Sequence, residues 1–448
     1  MLLNHGGLKR RSRLMNSIVC KFGGTSVADS EKIKEVVSII RSDSRRKLVV
    51  VSAPGKRFKE DEKITDLLYK CHEEGSRGKP VSGVFSLVKE RYNEISENLG
   101  IGSKLREILE EIEENIKSGA TADYTASRGE FLCALLLAEY LGAEFVDAAD
   151  IIKLNENGTV DKNTYNLIGE RVEKDKSYVI PGFYGSTSDG EIKVFSRGGS
   201  DITGALVARG TNASLYENWT DVSGILTADP RVVQNPIPID RVTYRELREL
   251  AYLGASVFHE EAIFPVSEAG IPINIRNTNY PDHPGTTIVK EREVSPFPFT
   301  GLAGKTGFSL FYIEKLLLNR EEDFISRLFS ILRENKVNPR YIQSGCDSLI
   351  VVLGTEEIKD RENNLLKALK ERLKAEHIKK MGSVALLGAV GEGISKKPEI
   401  TSRLLNALVD SGLSVSLVEQ GSSENSILFG VKEEDYEKSL KALYKVLA

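Results

Sequence analysis

Along the first two thirds of the chain, short β-branched runs alternate with stretches in which apolar residues recur three and four positions apart. The runs SIVCKF (17–22), KLVVVSA (47–53), SYVIPGF (177–183), ASLYENW (213–219) and IPINIR (271–276) predict strands. Between the first two, SEKIKEVVSIIRSD sets Ile33, Val36, Val37 and Ile40 on one face, which predicts a helix capped by Ser30. Strands alternating with helices are the pattern of an α/β sheet. From about Lys56 to Lys117 charge is denser, and we expect helices with polar connections there, forming a mobile subdomain or lid.

Prolines cluster in PDHPGTTI (281–288) and SPFPFT (295–300), marking a linker, and the pattern then changes. GFSLFYI, a helix holding Phe324, Leu328 and Ile331, NPRYIQSG, DSLIVVL and a helix from about Glu357 to Glu376 read as βαββα. SVALLGAV, a helix from about Glu399 to Asp410, LSVSLVEQG, NSILFGV and a last helix from Glu434 read the same way. Two copies of one small α+β module account for this economically.

A chain of 448 residues exceeds one ordinary core, so two or three domains are expected. A net charge of −4 without a dominant basic face excludes a general nucleic-acid binder. The four cysteines, Cys20, Cys71, Cys133 and Cys346, form no CxxC pair, which fits a reduced, cytoplasmic setting. His259–Glu260 lacks the second histidine of a zincin helix, so no protein-held catalytic metal is expected. No apolar run is long enough to span a membrane. The opening MLLNHGGLKRRSRL lacks the apolar core of a secretory signal, and since Met15 lies just before the first predicted strand, residues 1–15 read as a disordered extension or an early start codon, with a short targeting peptide as the weaker alternative.

Four stretches carry chemistry. KFGGTSV (21–27) joins a strand to a helix, where adjacent glycines admit a ligand close to backbone amides and Lys21 adds a positive charge; a plain Gly-rich turn is the alternative. FSRGGSDITGALVA opens a helix with Ser196, Arg197, Gly198, Gly199, Ser200 and Asp201, Arg197 offering a fork for a carboxylate or phosphate and Asp201 serving either the site or a cap. SRGE (127–130) is expected to open a long apolar helix, where Glu130 either relieves the helix dipole or holds a cationic amine. WTDVSGILTADPRVV ends a strand at Thr220 and Asp221, turns at Gly224 and continues to Arg231. GLAGKTG at Gly301 leads into a strand, and GAVGEG (388–393) has the wrong glycine spacing, so neither is a nucleotide loop.

In this order, KFGGTSV, VVVSA, SRGE, GFYGS, SRGGSD and WTDVSGILTADPRVV, followed by the repeated small module, resemble the aspartate kinases from about Ser17 to the end of the chain. The resemblance implies an amino acid kinase-like three-layer αβα sandwich over 16–295, followed by a regulatory region over 296–448. Two ferredoxin-like ACT domains would fill that region, one at about 314–382 and one at about 299–313 plus 383–448. It implies MgATP-dependent phosphorylation of the L-aspartate side chain, the first step towards lysine, threonine and methionine, with lysine or threonine as feedback inhibitor. The magnesium would arrive on the nucleotide.

Carried over residue by residue, Lys21 would neutralise the moving phosphoryl group beside Gly23, Gly24 and Thr25. Ser52 and Thr65 would line the acceptor pocket, Glu130 would hold the amino group and Arg197 the α-carboxylate. Ser200 and Asp201 would complete the site, Asp201 as a catalytic residue, and Thr220, Asp221 and Arg231 would hold ATP. An effector would sit near Phe324, Ser344, Gly345 and Asp347, and the modules would join chains into a dimer or tetramer. Two departures touch the nucleotide: GASVFHE places Ser256 where many relatives have lysine, and Leu226 replaces a frequent tyrosine. A glutamate 5-kinase-like enzyme and a catalytically silent amino-acid sensor are the rival readings.

Overall fold

The computed structural model describes residues 17–447 other than 103, 174–175, 197, 256–259, 294–297 and 421–422. The expected extension over 1–15 lies outside the described residues, as do Arg197 and Ser256. The chain divides into two compact units: the described parts of Met1–Ile225, Pro238–Tyr244 and Val257–Arg292 form one, and Leu226–Ile237, Arg245–Ser256 and Glu293–Ala448 form the other.

Unit one is built on strands β1 (Ile18–Phe22), β2 (Arg46–Val51), β3 (Glu144–Phe145), β4 (Tyr178–Pro181), β5 (Leu215–Thr220), β6 (Arg241–Thr243), β7 (Ile273–Asn277) and β8 (Thr286–Val289). They form an eight-stranded sheet in the order β6-β8-β7-β5-β1-β2-β4-β3. From β7 to β3 the neighbours are all parallel, so these strands end at one edge. Alternation divides their side chains between two faces. Cys20, Phe22, Val49 and Val51 enter a core with helices α1 (Ser30–Arg41), α2 (Ile64–Ser76), α3 (Ser82–Leu99), α4 (Leu105–Lys117) and α5 (Ala122–Leu141). Across the sheet lies α6 (Gly199–Thr211), with Glu260–Ala269 packed on it, completing three layers.

The predicted face of α1 is the buried one, Ile33, Val36, Val37 and Ile40 included, but its cap is Asp29, which accepts from the Lys32 amide at 2.9 Å, and Ser30 is already helical. Residues 56–117 do not stand apart as a lid. Leu68, Phe85, Tyr92 and Ile112 are buried in the core that holds β1 and β2, so these helices are part of the layer. Helix α5 starts at Ala122, capped by Thr121, so SRGE lies inside it and does not open it. The polar TADYTA that precedes SRGE hides the helix from an apolar count, although Thr125 and Ser127 are fully buried.

Unit two holds strands β9 (Gly301–Glu314), β10 (Pro339–Ser344), β11 (Ser348–Gly354), β12 (His377–Val390), β13 (Val415–Gln420) and β14 (Ser426–Lys432) in one antiparallel sheet, order β10-β11-β9-β12-β14-β13. Helices α7 (Phe324–Glu334), α8 (Glu362–Leu373), α9 (Pro398–Asp410) and α10 (Tyr436–Leu447) pack with it. The two βαββα copies are present, but they share strands. Residues 308–314 of β9 pair with β11, while Gly301–Lys305 pair with Leu386–Val390 of β12, the half that also pairs with β14. The register of β9 breaks between Lys305 and Phe308, so the sheet changes module there and not at 313/314.

The helix expected over Glu357–Glu376 is interrupted: Thr355–Ile358 ends before α8 begins at Glu362. The last helix starts at Tyr436, after a 3-10 turn over Glu433–Asp435. The 226–237 segment, expected with the catalytic domain, packs within unit two. Ala228 and Val233 join its core, and the Thr227 carbonyl accepts from the Leu302 amide at 2.7 Å. As expected, GLAGKTG lies in a strand, and GAVGEG spans the end of β12 and a loop.

Candidate active site

The side chains singled out in unit one gather at the edge where the parallel strands end. Lys21, next to last in β1, lies opposite Asn218 of β5. Both point to the face that α6 covers, and Asp201 in the first turn of α6 meets them. The Lys21 Nζ is 2.6 Å from Asp201 Oδ1, which also accepts from Asn218 Nδ2 at 2.9 Å. Asp201 therefore does not cap its helix; the cap position is Gly198, at φ 59°. Asn218 was not picked out from the sequence, although its strand parity with Lys21 is a readable signal.

Two glycine turns meet backbone to backbone beside this pair. A Cβ on Gly24 would lie 2.8 Å from the Ala53 carbonyl oxygen, one on Gly55 would lie 2.8 Å from the Gly24 carbonyl carbon, and the Gly55 amide donates to Gly24 O at 2.8 Å. Packing thus explains Gly24 and Gly55. It does not explain Gly23, whose Cβ would make only ordinary 3.7 Å contacts with Lys21 Nζ and Trp219 O. Within KFGGTSV a 3-10 turn, Gly24–Val27, precedes the expected helix α1, with Thr25 exposed; its Ser26 Oγ lies 2.7 Å from Thr278 Oγ1 beyond β7.

Ser52 follows β2, its amide donating to Phe22 O at 3.1 Å, and Thr65 lies half-buried in the first turn of α2. The loop between them is held by a buried ion pair that the sequence did not reveal. Arg91 of α3 grips both oxygens of Asp61 (2.8 and 2.7 Å) and the Gly55 carbonyl (3.1 Å). Burial opposes the Asp61 charge, but hydrogen bonds from Arg57 and the Arg91 guanidinium outweigh it and hold this carboxyl far below its usual range. On the far side, Gly182 lets the end of β4 lie against Ser200, since a Cβ there would fall 2.5 Å from Ser200 Oγ.

Glu130 is the electrostatic exception. It is only 4% exposed, and its Oε2 has no hydrogen-bond partner among the described residues. Desolvation raises its pKa to about 8, against the lowering effect of a hydrogen bond from the Ala53 amide. Arg128, two residues earlier, does not pair with it and is instead stacked among Tyr124, Phe131 and Tyr184 at 4.5–5.4 Å.

Thr220 ends β5 with its hydroxyl 3.2 Å from Asp221 Oδ1, and Asn277 at the end of β7 donates to Ser223 Oγ at 2.9 Å. Arg231 belongs to unit two, where it is exposed and forms a bidentate pair with Asp229 (2.7 and 3.0 Å). Leu226 is also in unit two, partly exposed. No group of three or more His, Cys, Asp or Glu side chains able to hold a metal occurs among the described residues.

In the expected effector region, Phe324 is fully buried in the core of its module, so its side chain serves packing. Ser344 and Gly345 end β10, the Gly345 amide donating to Ser348 O at 2.7 Å. Asp347 Oδ1 accepts from the Leu317 amide at 2.7 Å.

Residues 16–277 match the model of the amino acid kinase family, and residues 387–447 match that of an ACT domain. Aspartokinase 3 of Bacillus subtilis is 39% identical over 95% of this chain and 98% of its own. The chain belongs to the aspartokinase family. Aspartokinases transfer phosphate to the carboxyl group of aspartate, so the enzyme is a phosphotransferase with a carboxyl acceptor. The solved aspartate kinase of Clostridium acetobutylicum is 45% identical, with a TM-score of 0.92 over 96% of this chain and 100% of that one. Aspartokinase III of Escherichia coli has been solved with aspartate and ADP, and it matches at 27% identity and a TM-score of 0.74 over 96% of this chain and 99% of that one. Its complex with lysine and aspartate matches at 26% and 0.75, over the same shares.

Proposed function

We propose that this aspartokinase phosphorylates L-aspartate from MgATP at the edge described above, giving 4-phospho-L-aspartate for lysine, threonine and methionine synthesis. Glu130 carries the reading. A buried carboxylate without a partner is costly unless a cation joins it, and the ammonium of an amino acid is such a cation. The aspartate complex of the E. coli relative supports that class of ligand.

In this reading Glu130 takes the amino group, Arg197 the α-carboxylate, and Ser52, Thr65 and Ser200 line the pocket for the side chain. A side-chain carboxylate oxygen attacks the γ-phosphorus while the bond to the β,γ-bridging oxygen breaks and ADP leaves. The acceptor is already ionised, so no general base is required. What must be overcome is the approach of two anions. Lys21, held 2.6 Å from Asp201 in the free protein, turns to the moving phosphoryl group, and Asp201 with Asn218 keeps its stem in place. Gly23, with no packing need for glycine, leaves room for phosphate oxygens beside Gly24 and Thr25. Thr220 and Asp221 contact the rest of the nucleotide. Magnesium, which keeps most of its water and needs few carboxylates, fits as an ion carried by the phosphates.

We assign residues 16–295 to catalysis and 296–448 to regulation by two ACT modules that join chains into a dimer or tetramer of a cytoplasmic enzyme. Lysine is the first candidate effector, as in the E. coli relative, with threonine second. It would sit at Ser344, Gly345 and Asp347, with only the backbone of Phe324 available. The test traps acyl phosphate with hydroxylamine while offering aspartate, glutamate or N-acetylglutamate with MgATP, then repeats with lysine and threonine. Hydroxamate from aspartate, suppressed by lysine, is expected. No product from aspartate removes the reading, and equal rates with and without both effectors remove the feedback part.

A further inference from the structure

The face of the sheet opposite Lys21 holds a charged cluster that the mechanism does not use. Glu217, 2% exposed, precedes Asn218 in β5 and so points the other way. It accepts from Arg46 Nε and Nη2 at 2.8 and 3.0 Å and from Trp219 Nε1 at 2.9 Å, with Arg276 Nη1 at 3.6 Å. The Arg46 and Arg276 guanidiniums lie 5.2 and 4.7 Å from the centre of the Trp219 ring. That ring also stacks on Phe22, at 6.0 Å and 17°. The cluster joins β2, β5 and β7, and Arg46 extends it to the end of α1 through Ile39 O (2.7 Å) and Ser42 Oγ (2.8 Å).

Apolar residues of the same volume would fill this space at no loss of stability, because buried ions recover little beyond their desolvation cost. What ions add is direction: the indole is held at its nitrogen and against its ring, and cannot slide along the sheet. The Trp219 carbonyl accepts from the Gly23 amide at 3.0 Å, and Phe22 leads directly into the Gly23 turn. Two guanidiniums against one carboxylate also leave one positive charge behind that turn.

We propose that Glu217, with Arg46 and Arg276, forms a positioning cluster that acts through Trp219 to set the Gly23 turn for the nucleotide phosphates. The proposal rests on the reading that phosphates lie at Gly23. It assigns the cluster to nucleotide handling and leaves aspartate binding alone.

The test compares Glu217→Gln with Trp219→Phe, which keeps a stacked ring but loses the indole N–H, so that one variant suffices if the other does not fold. Folding is checked by circular dichroism and a thermal midpoint. Misplacing a reacting group by about 1 Å costs up to roughly 100-fold. We expect the KM for MgATP to rise about 10- to 100-fold while the KM for aspartate stays within about 2-fold. A purely structural role would lower the thermal midpoint and move neither KM, and that result in a folded variant overturns the proposal. Trp219 is the single tryptophan of the chain, so its emission in the wild type reports on the turn. A change in emission on adding MgADP, together with a raised KM for MgATP in Gly23→Val, supports the reading of Gly23 on its own. Absence of both removes that reading and the proposal together; presence of both with unmoved KM values in the cluster variants removes the proposal alone.

Discussion

Glu130 and Glu217 are carboxylates of the same unit, 4% and 2% exposed, and they are treated in opposite ways. Glu217 receives a bidentate arginine, an indole N–H and a second guanidinium nearby. Glu130 receives the Ala53 amide and leaves an oxygen without a partner, although Arg128 is two residues away and buried. Arg128 is occupied by aromatic rings, which keeps that cation off Glu130. Where a charge serves the fold, the fold neutralises it. Where a carboxylate oxygen is left without a partner, the proposed function gives it a ligand.

The largest expected difference between the two is in stability. Glu217→Ala strands two buried guanidiniums and should cost about 3–5 kcal/mol in urea unfolding, whereas Glu130→Ala should cost about 1 kcal/mol or less. Equal losses would erase the contrast. Next is substrate affinity: Glu130→Gln should raise the KM for aspartate about 10- to 100-fold, the value of a hydrogen bond between charged groups, without moving the KM for MgATP. The mirror-image result would hand Glu130 to the nucleotide.

A third effect is on pH. With a pKa raised to about 8, Glu130 is protonated in the free enzyme at neutral pH, and binding an ammonium requires that proton to leave. The kcat/KM for aspartate should therefore climb by up to about tenfold per pH unit from pH 6 towards 8, level off above, and lose this climb in Glu130→Gln. A fourth effect concerns the pH dependence of unfolding. Because the native state holds this proton over a range in which the unfolded state, near 4.5, has released it, Glu130 favours the native state at low pH. Its contribution declines as pH rises from about 4.5 to 8, and Glu130→Gln should flatten that part of the stability profile.

Much of this architecture could be read along the chain because unit one's sheet is buried on both faces, so its strands are continuous apolar runs such as KLVVVSA. The Lys21 and Asp201 stretches were legible too, as charges set among glycines at the junctions of strands and helices. Four features were not. The start of α5 was missed because a helix that buries Thr125, Ser127 and Arg128 breaks the apolar period. Asp201 stayed open between a cap and the site because a carboxylate in a first turn has two possible partners, and only the approach of β1 selects Lys21. Phe324 was taken for a ligand contact because position at a helix start says nothing about which way a ring turns. The Glu217 cluster draws residues from Arg46 to Arg276, and no local spacing announces it.

The shared strands of unit two bear on how the chain is made. During synthesis Gly301–Lys305 emerge long before their partners Leu386–Val390, a delay on the order of ten seconds at ordinary elongation rates. Until then the first half of β9 is an open edge on a nascent polypeptide, while its second half can already pair with β11. The first module therefore waits as an incomplete sheet for the second, and a ribosome stalled between them would present an aggregation-prone strand to the cell.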